Sequence, residues 1–152
     1  MLKKLIQTDK NNLAALFTRV AIAIAVFPHG AQKLLGWYGG GGFEKTMYFM
    51  TQIKNLPWIL GFLVIIIEFF GVILLAAGLH TRLMALFLAL NFIGIIIVDT
   101  WGNGFFMNWA GVEGKGEGYE YFILLFGLLI SSFIMGGGKA SLDAMMQKNN
   151  RN

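Results

Sequence analysis

The chain has 152 residues, 57% hydrophobic and 13% charged, with a formal net charge of +4 and a mean hydropathy of +0.66. Twelve Lys and Arg and eight Asp and Glu side chains are too few to cover the apolar surface left once one core is buried, which excludes an ordinary soluble domain. No cysteine is present, which excludes disulfides, thiolate metal ligands and a thiol relay within the chain, and the scattered basic residues fit membrane topology better than a nucleic-acid surface.

Four apolar stretches come near the roughly 20 residues that a helix needs to cross about 30 Å of hydrocarbon. They lie at about Leu13–Leu35, Pro57–Leu79, Arg82–Thr100 and Tyr119–Met135, and predict a single all-α domain, a transmembrane four-helix bundle. The first stretch follows Lys3, Lys4 and Lys10 and contains Ala21, Ala23 and Ala25, so it resembles a signal peptide. Polar residues and three more spans come after it, and it reads as a resident helix.

Within the first span, Arg19 lies about 9 Å along the axis, within snorkelling reach of one interface. An Arg19–Glu68 ion pair is the sharper alternative, since the two differ by about 7 Å in depth. At the far end of the span, the run PHGAQKLLGWYGGGG places His29 and Lys33 one turn apart on one face, with Gln32 beside them. Pro28 and Gly30 predict a kink there. Gly39–Gly42 lack the GK[ST] of a phosphate-binding loop and read as a tight turn that could cap a pocket.

Glu68 stands at the centre of the second span, eleven residues from either end. A carboxyl at that depth is costly unless protonated or paired, which marks either a functional site or a structural interhelical bond. The short link Gly78–Arg82 makes the second and third spans antiparallel neighbours. In the third span Asn91 could bridge to Glu68 or act as interhelical glue, and Asp99 closes the span. Glu120 opens the fourth, in which Ser131 and Ser132 are expected to bond the carbonyls of their own helix. His29, Gln32, Lys33, Asp99 and Glu120 are predicted to share one depth and form a polar pocket suited to proton exchange beside a small molecule. His29 and His80 fall on opposite sides, which argues against bis-histidine haem, and no spacing suggests a metal site.

Counting Lys and Arg outside the spans gives Lys3, Lys4, Lys10, Arg82, Lys139, Lys148 and Arg151 on one side and Lys33, Lys45, Lys54 and Lys115 on the other. Both termini are therefore expected in the cytoplasm, with the loops at 36–56 and 101–118 outside. Trp37, Tyr38, Trp58, Trp101, Trp109, Tyr119 and Tyr121 would form an aromatic belt at that outer boundary. Residues 147–152 are polar and expected to fray.

Arg19 with FPHGAQKLLGWYGGGGF, Glu68 in EFFGVILLAAGL, Thr81-Arg82, NGFF, GYEY and GGGKASLDAMM together resemble the DoxX family of small four-helix bacterial membrane proteins, over about residues 13–146. The resemblance implies a multi-pass protein of the bacterial cytoplasmic (inner) membrane, linked to quinone-dependent redox systems that handle sulfur or oxidative stress. It maps the family's recurrent polar positions onto Arg19, His29, Gly30, Lys33, Glu68, Arg82 and Glu120. Two readings result. In one, the chain is an accessory subunit of a redox complex that binds quinone or quinol, with Arg19, His29, Gln32, Lys33, Glu68, Asp99 and Glu120 as binding or proton-exchange candidates. In the other it is a non-catalytic scaffold, assembly factor or small-molecule carrier. Both expect the lipid bilayer and other membrane or periplasmic subunits as partners, leave homo-oligomerisation open, and expect no nucleic acid, haem or metal and no enzyme acting alone.

Overall fold

The computed structural model describes residues 6–149, and among them every regular element is helical. Helix α1 is Leu13–Leu35; the Asn12 side chain accepts from the Ala15 amide at 3.1 Å to start it, and Gly36 ends it in the left-handed region at φ 74°. A 3-10 turn, Trp37–Gly39, leads to α2, Gly42–Tyr48, which continues into a π-helical turn at Phe49–Ile53. Helix α3, Trp58–Ala77, carries a π turn at Ile67–Gly71. Helix α4, Thr81–Asn103, carries another at Ile96–Thr100. Helix α5 is Glu120–Met135 and α6 is Leu142–Asn149.

Helices α1, α3 and α4 are long and apolar enough to cross a membrane, and α5 is a shorter apolar helix. With the apolar surface the bundle leaves exposed, this makes the chain a membrane protein. From α1 to α5 each helix packs against the next, and α5 returns to α1. The core is formed by Ile22 and Val26 of α1, Val72 and Leu75 of α3, Ala85, Leu88 and Phe92 of α4, and Leu125 and Leu129 of α5.

Helix α1 runs unbroken through Pro28, where the sequence predicts a kink. A proline removes a single ladder bond, and this half of α1 is held along its length by α2, the 3-10 turn and the π turn of α3. Gly30 serves close approach: a Cβ there would lie 2.6 Å from the Glu68 carbonyl oxygen and 2.8 Å from the Phe69 nitrogen. The four glycines fold back onto α1, since a Cβ on Gly40 would meet the Gln32 side chain at 2.6 Å.

Between α1 and α3 the sequence suggested only loop, yet α2 forms there and changes the course of α3. Met47 and Met50 are buried against Gly61, where an added Cβ would meet the Met50 Cβ at 3.2 Å and the Met47 sulfur at 3.3 Å. The first half of α3 thus leans on α2 and α1 and hardly touches α4, whereas its second half packs on α4 beside the link. The two antiparallel neighbours are joined at the link end and splayed at the loop end.

At the link end the segment after α5 is drawn into the bundle. Asp143, fully buried, accepts from the His80 and Thr81 amides at 2.8 and 3.0 Å and from the Thr81 hydroxyl at 2.8 Å, which caps α4. Gln147 accepts from the Thr8 amide at 3.1 Å, and the helix continues to Asn149, so the expected fraying does not begin at residue 147. Residues 150–152, together with Lys3 and Lys4 and the side chain of Lys148, lie outside the described residues.

Candidate functional site

Glu68 occupies the π turn of α3 and is 1% exposed. Lys33 Nζ donates to its Oε2 at 2.6 Å, and Asn91 Nδ2 donates to its Oε1 at 3.2 Å. Both carboxylate oxygens are thus engaged, one by the charged pair and one by an amide, as a carboxylate removed from water requires. The contact of Gly30 with the Glu68 backbone sets the register that brings Lys33, one turn further along α1, over the carboxylate.

Lys33 and Asn91 also line a cavity of about 850 Å³ between the splayed halves of α3 and α4. Its walls are Leu60, Leu63, Val64 and Ile67 from α3 and Phe87, Leu90, Gly94, Ile95 and Val98 from α4, and α2 with its π turn roofs it through Lys45, Thr46, Phe49 and Met50. Leu60, Leu63, Phe87 and Leu90 line the cavity and are also 40–56% exposed on the bundle surface. The cleft therefore opens sideways, toward the space that lipid fills. At the loop end Lys54 Nζ lies 2.5 Å from Asp99 Oδ1, and both line the cavity. All three π turns contribute to the lining, through Phe49 and Met50, Ile67, and Val98 and Asp99. Such turns displace side chains from the α-helical register and gather at functional sites.

The predicted site residues divide between this cleft and other positions. Lys33, Glu68 and Asp99 belong to it, Glu68 from behind Lys33 and Asn91. His29 is exposed on the flank of α1, with no hydrogen-bond partner among the described residues and no part in the lining. Gln32 Nε2 donates to the Tyr38 carbonyl at 3.3 Å and holds the turn after α1. Glu120 accepts from the Met107 amide and from Trp109 Nε1, both at 3.2 Å, and closes the loop between α4 and α5. The single polar pocket expected from His29, Gln32, Lys33, Asp99 and Glu120 does not form. Similar depth placed these residues in one slab, but their helical faces point in different directions.

Arg19 makes no pair with Glu68. It is 2% exposed and donates to the Gly137, Lys139 and Ala140 carbonyls at 3.0, 2.9 and 2.6 Å, and also to the Ala76 carbonyl. It thus binds α3 to the segment after α5 at the link end. Arg82 plays a like part, donating to the Phe133 and Ile134 carbonyls at 2.9 and 3.0 Å and to the Gln7 carbonyl at 2.5 Å.

Ser131 bonds its own helix at the Gly127 carbonyl at 2.8 Å, as expected, but the buried Ser132 hydroxyl finds no partner among the described residues. Tyr121 packs on the core with its hydroxyl buried, so it stands apart from the aromatic belt. Lys54, Gly94 and the lining role of Asn91 were missed. A glycine mid-span and a lysine just before Pro57 were the available signals. Among the described residues no group of three His, Asp or Glu side chains is placed to hold a metal ion.

A family model described as DoxX matches residues 14–101, from the second residue of α1 to just past the π turn in α4. A curated protein of Bacillus subtilis (strain 168), named "Putative oxidoreductase CatD", is 29% identical over 140 residues, covering 92% of this chain and 92% of its own. No solved structure matches the chain.

Proposed function

The chain belongs to the DoxX family, and on that premise we propose that it is an accessory subunit of a quinone-linked oxidoreductase complex in the bacterial cytoplasmic membrane, binding the quinone in the cleft between α3 and α4. The carrying observation is a cavity of about 850 Å³ with largely apolar walls, open sideways, that has Lys33 and Asn91 at one polar end and the Lys54–Asp99 pair at the other. Its size falls in the range of about 300–1,000 Å³ typical of small-molecule sites. A quinone has the matching anatomy, with a flat ring carrying oxygen acceptors and an apolar tail dissolved in lipid. Lys33 would donate to a ring oxygen, Glu68 fixes the position of Lys33, and Leu60, Leu63, Phe87 and Leu90 keep water from the ring. When bound, a quinone supplies the electron- and proton-carrying chemistry.

The Bacillus subtilis relative carries an oxidoreductase name, which supports the redox assignment. In this reading both termini face the cytoplasm, and the loop-end surface of α2 and the loop after α4 receive the partner subunit.

Gly94 supplies the test. It lines the cavity, and an added Cβ there meets nothing within 4 Å, so Gly94→Leu fills the cleft without disturbing the bundle. Binding of a short-chain quinone to the protein in lipid nanodiscs is expected to saturate above empty nanodiscs, and Gly94→Leu is expected to weaken it by about tenfold or more with unchanged circular dichroism. Absence of saturable binding, or binding indifferent to Gly94→Leu, would overturn the assignment and favour the scaffold or assembly-factor reading.

A further inference from the structure

The Lys33–Asn91 end of the cleft offers more than a place for a carbonyl. Asn91 must turn its amide nitrogen toward Glu68, because a carboxylate oxygen accepts and cannot donate. Its own carbonyl, Oδ1, is left without a donor among the described residues, on a side chain that lines the cavity. Lys33 is the complement: its ammonium carries three protons, one of which is directed to Glu68 at 2.6 Å, and its side chain retains 26% exposure. The cavity therefore presents an acceptor and a donor together, both fixed through the same buried carboxylate.

We propose that this pair selects a hydroxyl-bearing head group, so that the cleft takes the reduced, quinol form of its ligand in preference to the quinone. The inference rests on the quinone-binding reading above and adds the form of the ligand to it. A hydroxyl can donate to Asn91 Oδ1 while accepting from Lys33 Nζ. A quinone carbonyl can only accept, so it satisfies Lys33 and leaves Oδ1 desolvated and unpaired. Sites built to bond a hydroxyl discriminate against analogues that lack it, because their own polar group is then stranded. The apolar walls, Leu63, Ile67, Leu90 and Ile95 among them, provide no substitute partner. Asn91 is in these terms a specificity-determining residue, and Glu68 the positioning residue that orients both it and Lys33.

The experiment compares three probes on the protein in lipid nanodiscs under anaerobic conditions: a short-chain ubiquinol, the matching ubiquinone, and the dimethyl ether of the same quinol. The ether keeps the ring, its other substituents and the acceptor oxygens of the quinol, replaces each hydroxyl proton by a methyl group, and so controls for donation while the smaller quinone controls for size. The quinol is expected to bind about tenfold more tightly than either of the others. Asn91→Leu, which puts an apolar side chain of similar size in place of the acceptor and of the amide donor to Glu68, is expected to bring the three affinities within about twofold of one another while Lys33 still holds the carboxylate. Equal binding of the three probes by the unaltered protein would overturn the selection of the hydroxyl and leave the quinone site standing. Retention of the full preference in Asn91→Leu would overturn the role of Asn91. Failure of all three probes to bind would remove the quinone reading itself.

Discussion

Lys33 and Glu68 are separated by 35 residues in sequence and 2.6 Å in space, with exposures of 26% and 1%. Their energetics are asymmetric. A buried pair contributes little beyond what an apolar replacement of both would, but removing one partner strands the other, at a cost of about 3–5 kcal/mol. Lys33→Met is therefore expected to lower the thermal midpoint in detergent far more than the double variant Lys33→Met/Glu68→Met, in which no charge is stranded. Equal losses in the two would show that the pair is not the unit of stability. The sequence made Glu68 conspicuous, because a mid-span carboxyl needs a partner; of the two partners it suggested, Asn91 bonds Glu68 at 3.2 Å and Arg19 does not reach it. Gly30 stands level with Glu68, and Arg19 is eleven residues further back, about 16 Å along the axis. The ends of the apolar runs give only an approximate depth, whereas the actual register is set by a glycine that lets two backbones touch. That contact depends on tertiary packing and leaves no mark in hydropathy.

Elements show the same division between what hydrophobic patterning reveals and what packing decides. The first apolar run and helix α1 share the bounds Leu13–Leu35, and the other three helices agree with the apolar runs to within a few residues at each end. Helix α2 escaped notice because it is short and follows four glycines, and the π turns because no composition marks them. Two glycines separate the roles that an element can give the same residue. At Gly30 an added methyl collides with the backbone of α3 at 2.6 Å, whereas at Gly94 it meets open space within the cleft. Gly30→Ala is expected to destabilise by about 1–3 kcal/mol through overpacking. Gly94→Ala is expected to stabilise by up to about 1 kcal/mol, since alanine forms helix better than glycine. Thermal unfolding of both in the same detergent checks the pair, and two shifts of the same sign would contradict the placement of α1 against α3.

At the scale of the whole molecule, the two ends of the bundle use their cations differently, and this bears on orientation. At the link end Arg19 and Arg82 satisfy carbonyls where helices stop: Arg82 bonds those of Phe133 and Ile134, and the Thr8 hydroxyl donates to that of Met135 at 3.1 Å. This lets α5 end after 16 residues, about 24 Å of rise, with its last carbonyls paired to protein where a longer helix would carry them to water. At the loop end two of the four basic residues, Lys33 and Lys54, are tied to Glu68 and Asp99. Basic residues outside the spans number seven at the link end and four at the loop end, and the proposed orientation follows from that count through the positive-inside rule. The absence of native cysteine makes the proposed orientation directly measurable. A cysteine at Glu113, exposed in the loop after α4, is expected to react with a membrane-impermeant maleimide in intact cells, and one at Met145, 65% exposed on α6, only after permeabilisation. The reverse pattern would invert the molecule, placing the Lys54–Asp99 end of the cleft on the cytoplasmic side, and with it the surface proposed to receive a partner subunit.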